Sequence, residues 1–307
     1  MKLNKTKKIF ICTTEQSGDN IASEVLKKIR NNKIIIDGVG GNKTSKYLRN
    51  KFFDIKEFKS MGLFEILLSL NKYINILNYL IKKIKLHKYD LVITIDSPDF
   101  NYQLAKKLKK NNYNKKIIHI VAPSVWAWRK GRAKKFAKVY DEIFTLFKFE
   151  KKYFNIHGLK TTFIGHPIYH ISSSKRNNKK NYIAFLPGSR EKEVKQLILY
   201  YNLAYKILLK NNTKKYIIFI PTLPHLKNII LKTTKNWKIK TILSTSDKVN
   251  EKLYQKVFVS VTCSGTASLE LAKRNIPQLI IYKFNFFTSI IASLFVKVKY
   301  ANLINIL

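Results

Sequence analysis

The feature that most constrains this chain is a regular alternation between short apolar runs and longer stretches of helical periodicity, which continues from one end to the other. Runs that are apolar on both faces and separated by helices are typical of parallel sheets covered on both sides. A polar stretch, SSSKRNNKKN at 172–181, divides the pattern in two. The sequence therefore predicts an α/β fold with two units, 1–171 and 172–307. Strands are predicted at 7–13, 33–38, 89–95, 116–121, 142–147, 161–164, 182–186, 215–220, 238–243, 256–262 and 277–282.

The clearest helical pattern spans 63–84, where apolar residues recur at intervals of three and four. This spacing predicts an amphipathic helix whose apolar stripe packs mostly into the core and whose first turn is exposed. The stripe consists of Leu63, Ile66, Leu67, Leu70, Ile74, Leu77, Ile81 and Ile84.

The chain carries 59 Lys and Arg residues against 18 Asp and Glu, a formal net charge of +41. Nucleic acid, an anionic membrane surface and an acidic substrate are all compatible with that charge. Because Lys is spread along the whole chain, whereas nucleic-acid footprints are clustered, no nucleic-acid partner is expected. Cys12 and Cys263 lie in apolar runs, which indicates a reducing compartment and no disulfide framework. No apolar run reaches the roughly 18 residues of a membrane span.

Ligands of open α/β sheets bind at the carboxyl ends of the strands, so the residues that follow each strand are the first candidates for function. Asp96 directly follows the third predicted strand, in IDSPDFN, and its carboxylate can act as a general base. Asp99 is expected only to cap the next helix. In TTEQSGD, after the first strand, Ser17 or Asp19 can cap the helix and Gly18 relaxes the turn. That loop fits a plain turn as well as a binding loop.

Three further loops of the first unit stand out. GVGG at 38–41 is a weak phosphate-loop pattern, and without an acidic residue at the expected offset it does not predict a dinucleotide site. In APSVWAWRKGR, Trp126 and Trp128 can line an apolar or sugar-binding wall, or pack a domain interface. His166, in GHP, is expected to make a hydrogen bond near the hinge rather than take part in catalysis.

Two glycine-containing helix starts follow strands of the second unit, in LPGSR and in VTCSGTASLELA at 261–272. Free backbone N–H groups and the helix dipole favour an anion at such a start, and an Arg can grip a phosphate with two hydrogen bonds. Glu270 lies one turn after Thr266, where a carboxylate can bind a ribose diol. The pair of starts therefore predicts a nucleoside diphosphate site. Its other candidate residues are Gly188, Ser189, Arg190, Ser264 and Gly265.

Metal ligands are not evident in the sequence, which has no Asp-X-Asp pair and no His, Cys or Glu cluster with metal-ligand spacing. We therefore expect a leaving diphosphate to be stabilised by helix dipoles and by Arg190, without a bound Mg²⁺.

From about residue 9 to its end the chain resembles the lipid-A-disaccharide synthases, inverting glycosyltransferases with two Rossmann-like domains and an interdomain cleft (GT-B architecture). The resemblance implies a cofactor-free reaction of lipid A and lipopolysaccharide biosynthesis. UDP-2,3-diacylglucosamine, bound by the second domain, donates its sugar to 2,3-diacylglucosamine 1-phosphate (lipid X), bound by the first; the products are the β-1,6-linked disaccharide 1-phosphate and UDP. The matching blocks are TTEQSGD, GVGG, MGLFEIL, IDSPDFN, APSVWAWRKGR, FKFEKKYF, FIGHP, LPGSREKEV, SGTASLELA and YANLINIL.

The resemblance also implies residue roles. Asp96 would take the proton of the acceptor 6-hydroxyl, and Arg190 would hold the donor diphosphate. Inversion then needs one in-line displacement and no covalent enzyme intermediate. The other donor-side residues would be Ser189, Ser264, Gly265, Thr266, Asn305 and Glu270, the last on the ribose. The other cleft and acceptor-side residues would be Glu15, Gly18, Trp126 and Trp128.

Three features depart from the family pattern. Thr14 stands where the family usually has Gly, and Ile304 where it usually has Pro. Family members also continue for several helices beyond the position of Leu307, and those helices normally return to cover the first domain. For the 307-residue chain this predicts exposed apolar surface on the first domain and low solubility or reduced activity.

Acylated substrates imply a cytoplasmic protein attached peripherally to the anionic inner face of the cytoplasmic membrane. Two segments are expected to contact that surface: MGLFEILLSL, through Met61, Leu63, Phe64, Ile66 and Leu67, and FNFFTSIIASLFVKVK at 284–299. Two alternatives remain open at this point. One is another UDP-sugar enzyme of this fold, such as a UDP-N-acetylglucosamine 2-epimerase or another transferase. The other is a truncated, non-catalytic binder of anionic membranes or nucleic acid.

Overall fold

The computed structural model describes residues 6–29, 31, 33–58, 65–127, 129–171, 181–211, 216–263 and 265–281. The chain divides into two compact units, Met1–His166 and Pro167–Leu307. The boundary predicted between residues 171 and 172 falls just after this division. Several residues singled out above lie outside the described part, as do the side chains of Ile66 and Leu67 and the segment 284–299. They are Met61, Leu63, Phe64, Trp128, Ser264 and Asn305.

The first unit contains a seven-stranded sheet in which every neighbouring pair is parallel, in the order β3-β2-β1-β4-β5-β6-β7. Its strands are β1 (Lys7–Cys12), β2 (Ile34–Gly40), β3 (Asn50–Asp54), β4 (Leu91–Ile95), β5 (Lys116–Ile120), β6 (Glu142–Thr145) and β7 (Thr161–Phe163). Its helices are α1 (Gln16–Ile29), α2 (Glu65–His87), α3 (Pro98–Lys110), α4 (Arg132–Ala137) and α5 (Lys151–Asn155). Short 3₁₀ turns cover Thr44–Tyr47, Ile55–Phe58 and Lys148–Glu150.

Both faces of this sheet are buried, as its apolar strands predict. In β1, Phe10 belongs to the core formed with α2, α3 and α4, whereas the next residue, Ile11, belongs to the core formed with α1. Successive strand residues point to opposite faces, so one apolar strand serves both layers. The Phe10 ring also meets Tyr89 edge to face, with centroids 5.5 Å apart.

The long helix α2 buries only part of its predicted stripe. Leu77, Ile81 and Ile84 are buried as predicted, but Leu70 and Ile74 remain 45% and 37% exposed. The stripe was expected to be mostly buried beyond the first turn of the helix, and this expectation is wrong for Leu70 and Ile74. Among the described side chains of α2, those fully within the core cluster begin at Ile76.

One strand, β3, was not predicted. It is an edge strand of five residues whose side chains are only partly buried, so its sequence carries little strand pattern. Its first residue is held by Asp37, whose buried carboxylate accepts hydrogen bonds from Asn50 N and Nδ2, both at 3.1 Å. The same carboxylate accepts hydrogen bonds from Arg49 Nε and Nη2 (3.0 and 2.5 Å) and from Tyr89 Oη (2.7 Å). Burial opposes ionisation of Asp37, but the bonds from Arg49 and Tyr89 outweigh it and lower its pKa.

The second unit contains a five-stranded sheet, again parallel throughout, in the order β10-β9-β8-β11-β12. Its strands are β8 (Tyr182–Leu186), β9 (Ile217–Pro221), β10 (Thr241–Ser244), β11 (Val257–Cys263) and β12 (Gln278–Ile281). Its helices are α6 (Glu191–Lys210), α7 (Lys227–Thr234), α8 (Asp247–Tyr254) and α9 (Thr266–Lys273), with 3₁₀ turns at Pro167–His170 and Pro224–Leu226.

The structure confirms the two parallel α/β sheets, and every predicted strand has a counterpart whose ends agree within three residues over the described part. Cys12 and Cys263 are buried and free, in β1 and β11. None of the helices in the described part combines the length and the hydrophobicity needed to cross a bilayer.

Candidate active site

The first sheet has a switch point between β1 and β4. From these two strands the order runs outward to β2 and β3 on one side and to β5, β6 and β7 on the other. Where the connections from two neighbouring strands run along opposite faces of a sheet, a crevice forms at the carboxyl ends of those strands. Ligands of open α/β sheets bind in this crevice. Cys12 and Thr94 are register partners at these ends. The residues that follow β1 and Asp96, which follows β4, therefore meet at the crevice.

Asp96 is half-buried at this point, and its carboxylate is held by the first turn of α1. Ser17 Oγ donates a 2.5 Å hydrogen bond to Asp96 Oδ2. The neighbouring Gly18 is in close contact with Asp96, because a Cβ added at Gly18 would lie 3.2 Å from Asp96 Cβ and would collide with Thr13 Oγ1. Only a glycine lets the first turn of α1 approach the Asp96 turn this closely.

The turn that carries Asp96 has an unfavourable backbone conformation. Asp96 and Ser97 have φ of 55° and 45°, in the left-handed region that residues other than glycine seldom adopt. Asn101 clamps the turn, since its Nδ2 donates to the Asp96 carbonyl oxygen at 2.7 Å and to that of Ile95 at 3.3 Å. Ser97 Oγ is buried and lacks a hydrogen-bond partner among the described residues. Such strain collects at functional sites, where the surrounding structure holds it in place.

The prediction that Ser17 or Asp19 caps α1 is wrong, because both side chains bind other segments. Ser17 bonds to Asp96, and the buried Asp19 carboxylate accepts three backbone N–H groups, those of Gly41 (2.8 Å), Lys43 (3.0 Å) and Thr44 (3.0 Å). A Cβ at Gly41 would lie 2.6 Å from Asp19 Oδ2. The last residue of GVGG and the turn that follows it therefore bind the chain's own carboxylate.

Glu15 precedes α1 and is half-buried. Its carbonyl oxygen accepts the N–H of Asp19 at 2.9 Å, which places Glu15 in the first turn beside the Asp96 loop. The expected capping role of Asp99 is not observed either: its carboxylate forms ion pairs with Arg132 and, at 3.7 Å, with Arg129.

Trp126 lies in the loop after β5 and is half-buried. Its indole N–H donates to Glu150 Oε1 at 3.4 Å, and its ring meets Phe149 edge to face with centroids 5.5 Å apart. Glu150 also accepts the N–H of Phe147 at 3.0 Å, and burial raises the pKa of Glu150 to about 7. The His166 ring stacks on Phe147, and burial lowers its pKa. Glu150 and Phe149 thus hold the Trp126 ring in place, as a side chain that lines a binding site requires.

The second sheet has its own switch point, between β8 and β11. Leu186 and Thr262 are register partners at the ends of these strands, so the two glycine-containing helix starts lie side by side. Ser189, Arg190, Gly265 and Thr266 are all exposed there. Gly188 and Gly265 have φ of 111° and 124°, conformations that favour glycine.

Glu270 lies on α9 with its side chain 39% exposed. The buried Arg274 side chain supports it from one turn further on, with Nη1 donating to the Glu270 carbonyl oxygen at 3.2 Å and lying 4.0 Å from Glu270 Oε2. Arg274 is itself held by an ion pair with Glu251 and by stacking on the Tyr254 ring, 4.5 Å from its centroid. Glu270 is therefore supported by Arg274, a buried side chain that is itself held by Glu251 and Tyr254.

The start of α6 differs from the sequence prediction in one respect. The Glu193 carboxylate accepts the backbone N–H groups of Ser189 and Arg190, which were expected to be free for an anion. Burial raises the pKa of Glu193, against the lowering effects of the Arg190 charge and of those two hydrogen bonds. An incoming phosphate would meet the Ser189 hydroxyl and the Arg190 side chain rather than two vacant N–H groups.

Three residues that matter for this geometry were not predicted as site residues: Asn101, Glu150 and Glu193. A signal was present only for Glu193, because a Glu three residues after the N-cap is the pattern of a capping box. Asn101 and Glu150 act on turns whose conformation the sequence does not reveal. No group of three or more His, Cys, Asp and Glu side chains able to hold a metal ion occurs among the described residues.

Comparison with known proteins gives consistent matches. A family model described as Lipid-A-disaccharide synthetase matches residues 9–307. A lipid-A-disaccharide synthase of Rickettsia typhi is 32% identical over 313 residues, which cover 98% of this chain and 82% of that protein. Among solved structures, an S. aureus MnaA–UDP complex aligns with a TM-score of 0.61 at 14% identity, covering 98% of this chain and 86% of that one. A Neisseria meningitidis UDP-GlcNAc 2-epimerase bound to UDP-GlcNAc aligns with a TM-score of 0.59 at 14% identity, covering 94% and 85%. At such low identity the two structures establish a shared fold alone.

Proposed function

The chain belongs to the lipid-A-disaccharide synthetase family, and on that premise we propose that it forms the lipid A disaccharide by glycosyl transfer. The donor is UDP-2,3-diacylglucosamine and the acceptor is 2,3-diacylglucosamine 1-phosphate; the products are the disaccharide 1-phosphate and UDP. A UDP-sugar 2-epimerase shares the fold, but the family match over residues 9–307 favours the transferase.

One observation carries the mechanism: Asp96 lies at the switch point of the first sheet, in a strained turn, with one carboxylate oxygen held by Ser17. Its other oxygen, Oδ1, accepts the proton of the acceptor 6-hydroxyl. The hydroxyl oxygen attacks C1 of the donor sugar on the face opposite UDP, the bond from C1 to the diphosphate oxygen breaks, and UDP leaves. The configuration at C1 is inverted in this single displacement.

The second unit binds the donor. Arg190 and the Ser189 hydroxyl bind the diphosphate at the start of α6, beside the exposed start of α9 at Gly265 and Thr266. The negative charge that develops on the leaving UDP is stabilised by the Arg190 guanidinium and by the dipole of α9, and no metal ion takes part. Glu270 accepts hydrogen bonds from the ribose hydroxyls. Ser264 and Asn305, outside the described residues, are proposed to complete the donor site.

Because both substrates carry acyl chains, we place the protein at the anionic inner face of the cytoplasmic membrane as a peripheral protein. Leu70 and Ile74, which α2 leaves exposed, follow the segment MGLFEIL closely in the sequence and add two apolar side chains to those proposed to contact the membrane. Lysines throughout the chain favour anionic headgroups.

The experiment that tests the proposed function is incubation of the purified protein with both acylated substrates and detection of the disaccharide 1-phosphate by mass spectrometry. NMR coupling at the new linkage reports the configuration at C1. Asp96→Asn should lower turnover by about 100-fold to 10,000-fold, the range for loss of a general base, without weakening UDP binding measured by calorimetry. Absence of the disaccharide with the wild-type protein, or full turnover by Asp96→Asn, would overturn the proposal.

A further inference from the structure

Beside the Asp96 turn lies a pocket with a volume of about 390 Å³, between the start of α3 and the loop that leads into α4. Pro98, two residues after Asp96, forms part of its wall. The Tyr102 ring stacks on Phe136 at 5.6 Å, with planes 18° apart, and both rings line the pocket. The pocket is therefore an open depression, with a stacked aromatic pair in its wall, next to the turn that carries the proposed base.

Three cations line this pocket against a single carboxylate. They are Arg129, Arg132 and Lys135, and the carboxylate is that of Asp99. Arg132 has a side chain only 14% exposed and pairs with Asp99, which also lies 3.7 Å from Arg129. The Asp99 side chain itself is 76% exposed, so it can move aside while the largely buried Arg132 side chain stays in place.

Arg129 provides a second, independent indication. Its φ is 53°, in the left-handed region that a residue other than glycine adopts at an energetic cost. That conformation is part of the loop geometry that gives the pocket its second guanidinium. Arginine recognises phosphate through two parallel hydrogen bonds, and two arginines with a lysine form an arrangement suited to a phosphate monoester.

We propose that this pocket binds the phosphate monoester on C1 of the acceptor glucosamine. The inference rests on the proposed function, because it takes Asp96 as the base for the 6-hydroxyl. The 6-hydroxyl and the 1-phosphate are attached to different carbons of the glucosamine. When the hydroxyl contacts the base, the phosphate therefore binds beside the base rather than at it. The pocket, which begins two residues from Asp96, occupies such a position. In this arrangement the phosphate replaces Asp99 as the partner of the two arginines.

The test compares two double variants that remove the same amount of charge. Arg129→Ala with Lys135→Ala empties the pocket of two cations but retains Arg132, which is largely buried. Lys130→Ala with Lys134→Ala removes exposed lysines next to them in sequence that do not line the pocket. We expect the pocket variant to raise the KM for the phosphorylated acceptor at least tenfold, with kcat and the KM for the UDP-sugar unchanged, and the control variant to resemble the wild type.

Selectivity between the acceptor with and without its phosphate distinguishes a loss of this pocket from a general loss of structure or charge. The wild type should prefer 2,3-diacylglucosamine 1-phosphate over 2,3-diacylglucosamine without the phosphate, and the pocket variant should lose that preference. Equal KM increases in the pocket and control variants would overturn the inference, as would a pocket variant that keeps the preference.

A binding measurement separates failure of this inference from failure of the proposed function. Glucosamine 1-phosphate should bind the wild type and the control variant in calorimetry, and bind at least tenfold more weakly to the pocket variant. If that difference is found but no disaccharide forms with the acylated substrates, the pocket stands and the proposed function fails. Equal binding to all three proteins, or none to the wild type, overturns the pocket. Inorganic phosphate binding as tightly as glucosamine 1-phosphate would overturn its assignment to the acceptor sugar.

Discussion

Ser17 Oγ donates a 2.5 Å hydrogen bond to Asp96 Oδ2, and the two residues lie on opposite sides of the switch point in the first sheet. This bond fixes one carboxylate oxygen and leaves Oδ1 for the acceptor hydroxyl. Gly18 permits the contact by letting the first turn of α1 lie directly against Asp96. The first turn of α1 therefore positions the proposed base.

Replacing Ser17 tests this positioning role. Ser17→Ala should lower kcat about tenfold, the effect of losing about 1.4 kcal/mol from a hydrogen bond to a charged group, with both KM values unchanged. Ser17→Thr keeps a hydroxyl at an exposed position and should restore most of the rate. Steady-state kinetics of disaccharide formation provide the measurement. A raised KM, or a Thr variant as slow as the Ala variant, would contradict the assignment.

The role of Arg190 predicts a loss of nucleotide affinity without a loss of stability. Arg190→Ala should weaken UDP binding about 10-fold to 100-fold in calorimetry, since a hydrogen bond to a charged group contributes about 1.5–3 kcal/mol. The melting temperature should not change, because the residue is exposed. Lys192→Ala, an exposed cation in the same turn of α6, is the matched control. Equal effects of the two substitutions would indicate general electrostatics instead of a specific contact.

The proposed stabilisation of UDP by Arg190 and helix dipoles predicts that turnover does not depend on a divalent cation. The protein dialysed against EDTA should form the disaccharide at the rate of the untreated protein, and added Mg²⁺ should leave the rate unchanged. The assay follows release of UDP with both acylated substrates present. A rate that collapses after EDTA treatment and returns with Mg²⁺ would show that the diphosphate needs a metal ion.

Burial of His119 predicts a specific loss of stability in acid. Its side chain is fully buried, with Nδ1 2.8 Å from Thr94 Oγ1, and burial lowers its pKa from 6.5 to about 3. As the pH falls below 6.5, His119 therefore becomes protonated in the unfolded chain but stays neutral in the folded chain. This contribution to stability is complete above pH 6.5 and is lost as the pH falls toward 3.

Urea unfolding at pH 7.5 and pH 5 measures this effect. Between these pH values His119 should account for a loss of about 2 kcal/mol in the free energy of unfolding. His119→Gln should show a correspondingly smaller loss between the two pH values, whatever its stability at pH 7.5. The same decrease in the variant and the wild type would exclude His119 as the titrating group.

Membrane attachment predicts a dependence on salt. If the lysines dominate, washing membranes with high salt should release the protein, because counterions screen the attraction to anionic headgroups. Leu70→Ser with Ile74→Ser should leave that release unchanged. Retention after the wash, abolished by these two substitutions, would indicate instead that the apolar surface of α2 enters the bilayer. Sedimentation with vesicles of defined anionic content gives the measurement.

Much of the fold could be predicted because the signals are local. Apolar runs such as Tyr182–Leu186 are buried on both faces and mark parallel strands without reference to the rest of the chain. Strand β3 was missed because an edge strand that is only half covered lacks this pattern. The position of Asp96 at a strand end, and of the two glycine-containing helix starts, was likewise readable from neighbouring residues.

What the sequence determined by itself is therefore the succession of strands and helices and the residues that stand at their ends. The tertiary structure decided which of those ends lie together, through the strand order that puts β1 beside β4 and β8 beside β11. It also decided that Ser17 binds Asp96 rather than capping its own helix, and that Glu193 takes the N–H groups expected for a phosphate. The physical reason is range: periodicity depends on residues a few positions apart, whereas Ser17 and Asp96, 79 positions apart, become partners only when the sheet assembles.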